Sequence, residues 1–237
     1  VAVGYCSLLA QPDDATATYV GLLTAHPAWH GQGVGRDLLM AAISRTIEIG
    51  RDRVDLHTWS GNLKAVPLYK KVGFFWVPDT SVRMANFLPM LLRVGPVRAF
   101  FDQTGADWYV DAVRKLDLSP DRDTRSAAEV YQYAWERDGA RLEATIDRHA
   151  NALVALATPN LAVGVALNDP RVPTGTKRTA TFHLSVPDGR PAVTATFVAD
   201  GSGAVRTARQ AHRSVSSGAV AQVDWDVEGV LSGPPSA

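Results

Sequence analysis

Pro27-Ala28-Trp29-His30-Gly31-Gln32-Gly33-Val34-Gly35-Arg36 is the stretch on which the reading of this 237-residue chain turns. Ahead of it, Tyr19-Val20-Gly21-Leu22-Leu23-Thr24-Ala25 is apolar and β-compatible, and Pro27, which cannot donate to a ladder, ends that strand. Behind it, Leu38, Leu39, Ala42, Ile43, Thr46 and Ile47 recur at helical spacing. Arg36, Asp37, Arg45 and Glu48 take the other face, and Gly50 stands where a C′ glycine belongs. A helix thus opens directly out of the glycines. Its first amides are unpaired and its N-terminus carries positive partial charge, while Gly31, Gly33 and Gly35 let a ligand approach the main chain with no Cβ in the way. The guest such a turn suits is a phosphate. A nucleoside-triphosphate loop would need Gly-Lys-Ser/Thr and a dinucleotide fingerprint G-x-G-x-x-G after a first parallel strand, and neither fits.

Working outward, Val54-Asp55-Leu56-His57-Thr58-Trp59 alternates as a second strand. Ser60-Gly61-Asn62 is turn chemistry with a candidate cap, and Leu63 to Val72 reads as a short helix closed by Gly73. Pro67 removes a backbone donor and disfavours the helical region for Val66, so regular helix is expected to start close to Pro67.

The two motifs in this order, His30-x-x-Gly33-x-Gly35 and then Asn62-x-x-Ala65-x-x-Leu68-Tyr69-x-x-x-Gly73-Phe74, resemble the acetyl-CoA-binding half of the GNAT acetyltransferase superfamily. The resemblance implies that the glycine turn holds the pyrophosphate of coenzyme A. It also implies that pantetheine inserts as a pseudo-strand between splayed strands. Carried over residue by residue, the cofactor would lie against Leu23, Thr24 and Ala25, then His30, Gly31, Gln32, Gly33, Val34, Gly35 and Arg36, with Asn62 reaching the pantetheine arm. Tyr69 matches the tyrosine that protonates the departing thiolate, a role suited to a phenol with reference pKa about 10. His30 departs from the family, which has Arg or Gln there. Many members also carry a glutamate on the preceding strand, where Gly21 or Leu22 stands here. His57 and, after it, His26 are the candidate bases, each weighed against a histidine satisfied locally. Plain structural roles remain open for the others: a tight turn for the glycines, a packed boundary tyrosine for Tyr69, a cap for Asn62. His26 and His30 do not read as a metal pair, because Pro27 argues against the helix that would align them and no third ligand is in view.

Net charge is zero, and no Lys/Arg stripe points to nucleic acid or an anionic membrane. Apolar runs fall short of a membrane span, no signal-peptide pattern opens the chain, and Cys6, the sole cysteine, reads as core. A cytoplasmic protein with no metal is expected. Two strands, Val1 to Ala10 and Thr16 to Ala25, precede the glycine turn, fewer elements than the resemblance implies, so an N-terminally truncated fold is expected and the acceptor amine, small molecule or peptide, is not named. Homo-oligomerisation is left open.

Past Pro78 the pattern changes. Aromatic and apolar clusters broken by Pro89, Gly95-Pro96 and Gly105 predict short helices, and Leu118 to Asp123 a polar linker. Asp138-Gly139 is the strongest hairpin signal, and Leu153–Ala157, Leu161–Leu167, Thr179–Val186, Ala192–Val198 and Ala219–Val227 follow as regularly spaced strands. The expected fold class is α+β: a GNAT-like mixed sheet with helices over 1–78, a helical connector and linker over 79–125, an antiparallel β-sandwich, immunoglobulin-like, over 126–232, and a disordered tail over 233–237. The activity the resemblance implies is acetyl transfer from acetyl-CoA to an amine. Two further readings stand beside it: an acyl-CoA-binding or interaction module without turnover, and a sandwich that binds glycan or protein and localises an acyltransferase.

Overall fold

A computed structural model describes residues 2–77, 80, 82–114, 130–167, 175–200, 205–206 and 208–229. The linker expected over 118–123, the first residues of the expected second domain, 126–129, and the 233–237 tail lie outside the described residues. The chain divides into two compact units, Val1–Gly139 and Ala140–Ala237.

The first unit is built on a five-stranded sheet. Its strands are β1 (Gly4–Ala10), β2 (Ala17–Ala25), β3 (Arg53–His57), β4 (Phe75–Trp76) and β5 (Arg83–Asn86), in spatial order β1-β2-β3-β5-β4. Only β2 and β3 run parallel; the other neighbours are antiparallel. A parallel pair needs a crossover, and α1 (Val34–Glu48) supplies it. Leu39, Ala42, Ile43 and Thr46, at spacings of three and four, form the buried face of α1. The Thr46 hydroxyl donates to the Ala42 carbonyl at 2.8 Å and receives the Thr18 hydroxyl at 2.8 Å, which fixes the face of β2 that α1 covers. By register, Thr18, Val20, Val54 and Leu56 share that face, and Tyr19, Asp55 and His57 point the other way. Leu39 is wholly buried, so Leu39→Ala falls in the class of core truncations costing about 2–5 kcal/mol.

Two further short helices, α3 (Leu88–Leu91) and α4 (Gly95–Thr104), follow α2 (Val66–Lys71), each with a proline in its first turn. The connector expected over 79–125 is therefore helical only in part. Arg83–Asn86 is a strand inserted between β3 and β4. Four residues with two polar ends carry no periodicity of their own, and sheet pairing rather than pattern decides their conformation.

The unit closes with β6 (Val130–Arg137), whose inward residues Tyr131, Tyr133 and Trp135 are buried while Gln132 and Glu136 are exposed. Tyr131 donates to the Trp76 carbonyl at 3.0 Å. The Tyr133 hydroxyl donates to the Gly73 carbonyl at 2.9 Å and accepts the Phe87 amide at 2.9 Å. Phe75 lies 4.9 Å from the Tyr131 ring and 5.1 Å from that of Tyr133. Asp138 and Gly139 have φ of 52° and 79°, the paired positive values of a type I′ turn.

The second unit has no helix among its described residues. Its strands are β7 (Ala140–Asp147), β8 (Ala152–Ala157), β9 (Ala162–Leu167), β10 (Lys177–Ser185), β11 (Val193–Asp200), β12 (Val205–Arg206), β13 (Ala208–Val215) and β14 (Val220–Gly229). Strands β12-β14-β10-β9-β8-β7 follow one another in an antiparallel sheet, and β11 and β13 form a separate two-stranded ribbon. Leu184, Val186, Val215, Val223 and Trp225 make the core between them, joined by Val193, Ala195 and Ala211. The five expected strand segments are all present, and β12 and β13 are additional. An immunoglobulin arrangement divides its strands four to three between two sheets; here consecutive strands β7 to β10 pair as a meander and only a ribbon faces them, so that expectation is corrected. No helix among the described residues is long and apolar enough to cross a membrane.

Candidate functional site

The opening in the first sheet is set by unequal strand lengths. β2 pairs with β3 only from Ala17↔Arg53 to Val20↔Leu56, yet β2 continues to Ala25. Past His57 the chain turns away: the Thr58 amide donates to the Val82 carbonyl at 2.7 Å, beside β5 and not β2. On its other edge β2 stays paired to β1, with a bulge where Gly21 has no partner between Ser7↔Leu22 and Leu8↔Val20. Leu22 to Ala25 thus present one row of backbone groups to a gap, the setting in which an extended ligand can add as a strand. Neither Gly21, taken up by the bulge, nor Leu22, half exposed, offers a carboxylate there.

At the end of β2 the chain makes a single 3-10 turn, Pro27–Trp29, and then the glycine turn. Gly31 and Gly33 have φ of 78° and 86°, values costly for any residue with a Cβ, and a Cβ on Gly31 would meet nothing within 4 Å. Gly33 is the N-cap of α1 and no side chain caps the helix. The first helical bond is Asp37 N–H to the Gly33 carbonyl at 3.0 Å, so the amides of Val34, Gly35 and Arg36 precede the ladder and are free for an anion. Gly35 does a different job, since its Cβ would stand 3.0 Å from Leu68 and the glycine lets α1 lie against α2.

The histidines divide by tautomer. His30 Nε2 lies 3.0 Å from the Ala25 carbonyl, which can only accept, so Nε2 carries the proton. In the neutral ring Nδ1 is then an acceptor, and only the imidazolium could donate to a phosphate. His26 Nδ1 accepts the Ala28 amide at 3.2 Å and caps the 3-10 turn. His57 Nδ1 lies 3.3 Å from the Tyr19 hydroxyl, on the sheet face away from α1.

Tyr69, on α2, is buried, and among the described residues its hydroxyl makes no hydrogen bond. Burial pushes its phenol above the ordinary value, and the neighbouring Cys6 thiol adds to this. Burial likewise raises Cys6. Cys6 is the register partner of Leu23, so Tyr69 stands at the level of the unpaired half of β2, on the α1 side. Tyr69 and His57 therefore lie on opposite faces of the sheet with the opening between them. Asn62 is engaged locally: Nδ2 donates to the Thr58 hydroxyl at 3.1 Å and Oδ1 accepts the Ala65 amide at 3.3 Å, bracing the turn that leads into α2.

Sequence reasoning did not find Tyr19, whose place beside His57 follows only from the β2–β3 register. It also missed the buried clasp on Asp55, which accepts from Arg53 at 2.7 Å and from Arg83 at 2.5 Å, with Arg53 reaching Asp14 at 2.7 Å. Arg53 and Asp55 are two apart on one strand face, a pattern visible in sequence; Arg83 comes from the unforeseen β5. Among the described residues no group of three or more His, Cys, Asp or Glu could hold a metal ion.

Residues 1–74 match the profile of the Acetyltransferase (GNAT) family. Over 81 residues the chain is 35% identical to mycothiol acetyltransferase of Propionibacterium freudenreichii subsp. shermanii, an overlap of 34% of this chain and 26% of that protein. The chain thus spans about a quarter of the length of that curated relative. Similar solved structures include an IAA acetyltransferase from Bacillus cereus, 19% identical, covering 36% of this chain and 70% of that one with a TM-score of 0.32. Another is a putative streptothricin acetyltransferase from Bacillus anthracis in complex with acetyl coenzyme A, 18% identical, covering 36% and 56% with a TM-score of 0.31.

Proposed function

From the match of residues 1–74 to the Acetyltransferase (GNAT) family profile, we propose that this protein transfers the acetyl group of acetyl-CoA to an amine by direct attack. The observation that carries this is the succession of two openings along the chain: the edge of β2 that β3 leaves unpaired from Leu22 to Ala25, and the uncapped glycine turn whose amides at Val34, Gly35 and Arg36 precede the helical ladder, one suited to an extended arm and the other to an anion. The pyrophosphate takes the amides of Val34 to Arg36, and the thioester lies in the gap beside Tyr69. A neutral amine, arriving from the His57 face, attacks the thioester carbonyl carbon. The tetrahedral adduct collapses, the C–S bond breaks, and the thiolate takes the Tyr69 proton. The proton lost by the amine passes to His57, whose Nε2 is the free acceptor when Nδ1–H donates to Tyr19.

The missing carboxylate at Gly21 and Leu22 favours a second reading, a domain that binds acyl-CoA without turnover. Isothermal titration of coenzyme A tests what both share. A dissociation constant on the order of micromolar is expected for a preformed anion site with added contacts. Gly33→Val forces a branched side chain to φ near 86° and against Arg36, and should weaken binding by about 100-fold or more. Equal affinity in a Gly33→Val protein of unchanged melting behaviour removes the cofactor site. Amine-dependent thiol release from acetyl-CoA, scanned over peptide N-termini, polyamines and aminoglycosides, then separates enzyme from binder.

A further inference from the structure

Residues 105–114 lie beyond the span that matches the family, yet they bring an aromatic ring and a second cation to the glycine turn. The Arg36 guanidinium carbon is 5.9 Å from the centre of the Tyr109 ring, and that of Arg114 is 4.8 Å from it. On its other side Arg36 reaches the turn itself, since a Cβ on Gly33 would be 2.9 Å from Arg36 Nη2. Turn, Arg36, Tyr109 and Arg114 are therefore continuous.

The segment is held in place. Asp107 Oδ1 accepts the amides of Tyr109 and Val110 at 2.7 Å each, and the Asp107 amide donates to Asp111 at 2.6 Å. From β6, the Trp135 indole donates to the Trp108 carbonyl at 2.9 Å, and Arg137 donates to the Gly105 carbonyl at 2.7 Å and to Asp111 at 3.2 Å.

The charges are unequal in their compensation. Arg36 pairs with the adjacent Asp37 at 2.7 Å. Arg114 donates only to the carbonyls of Tyr109 and Ala112, and among the described residues no carboxylate comes within ion-pair distance. Burial pushes its guanidinium below the ordinary value, against the weaker opposing pull of Tyr109 and Asp107. Five donors and a delocalised charge, two of them spent on carbonyls, leave a fork suited to a phosphate.

We propose that Arg114, with Arg36 at the same Tyr109 ring, binds the ribose 3′-phosphate of coenzyme A, so that the nucleotide end of the cofactor is read by a segment outside the family-matched span. The inference rests on the coenzyme A reading above. A 3′-phosphate monoester is close to a dianion at neutral pH, a charge complementary to two guanidiniums of which only Arg36 has a carboxylate within ion-pair distance among the described residues. Both cations already lie over the Tyr109 ring, which favours phosphate over a stacked adenine as the occupant.

Calorimetry of coenzyme A against 3′-dephospho-coenzyme A on the full chain tests it. Wild type should prefer coenzyme A by about 10- to 100-fold, the scale of hydrogen bonds to a charged group. Arg114→Gln should bring that ratio close to unity while leaving affinity for the dephospho compound unchanged, which also reports a folded site. Arg36→Gln, at a more exposed residue, should lower the same ratio. A preference that survives both substitutions, or a wild type that binds the two compounds equally, overturns the 3′-phosphate site and leaves the cofactor reading intact. A wild type that binds neither compound overturns both.

Discussion

Tyr69 shows how far a single residue can be read ahead of its surroundings. Its place in the second motif singled it out, and the structure adds burial, an unoccupied hydroxyl and a thiol neighbour. A raised phenol keeps its proton through neutral and mildly alkaline pH, the form a leaving thiolate needs. The alkaline limb of kcat, if Tyr69 is the acid, should therefore fall above the ordinary tyrosine value of about 10, and Tyr69→Phe should remove it. The same substitution should lower kcat by about 10²- to 10⁴-fold with little change in coenzyme A affinity, because the interaction exists only as the C–S bond breaks. A wild-type kcat in Tyr69→Phe assigns the proton to another donor. His57 and His30 were less legible. Their roles depend on which ring nitrogen is engaged: the Ala25 carbonyl fixes the proton on His30 Nε2, while the Tyr19 hydroxyl, which can donate or accept, engages His57 Nδ1 in either tautomer. Tyr109 and Arg114 gave no signal, since nothing in their local pattern points across to a turn seventy residues earlier.

Among elements, those with a strong period or a punctuating residue were readable, and those decided by pairing were not. α1 follows from its apolar spacing between Gly33 and Gly50, and α2 starts at Val66, close to Pro67 as expected. β5 escaped because it is four residues long with polar ends, β13 because polar residues dominate it, and in each the pairing partner decides the conformation. β6 runs into the turn that Asp138-Gly139 signals, and its aromatic alternation belongs to the first unit. Tyr133 carries much of that attachment. Its hydroxyl serves the buried Phe87 amide and the Gly73 carbonyl together, and burial drives its phenol far above the ordinary range. Tyr133→Phe leaves both backbone groups without their partner while keeping the ring, so unfolding free energy should drop by about 2–4 kcal/mol. Urea unfolding followed by circular dichroism measures it, and a change under about 0.5 kcal/mol would mean that water reaches both groups.

At the scale of the molecule, composition and strand spacing predict a helix-bearing part followed by a β-rich part. The first compact unit ends at Gly139, inside a two-residue turn with no compositional marker beyond Asp-Gly. We expect a fragment of residues 1–139 to melt in one cooperative step and to retain coenzyme A affinity. A fragment of residues 1–78 should not melt cooperatively, because β4 pairs with β5 alone and the latter is absent from it. Thermal scans of the two pieces decide this, and a sharp transition in the shorter one would show that β5 and β6 are dispensable. Dependence of the first sheet on β6 also has a consequence in time. During synthesis Phe75 and Phe87 emerge well before the tyrosines that cover them, and at about 5–20 residues per second the stretch from Phe87 to Tyr133 takes roughly 2 to 9 s to make. For those seconds the nascent chain shows an aromatic surface to the cell, so its yield should depend on chaperone supply and on codon speed across that interval more than on the stability of the finished fold.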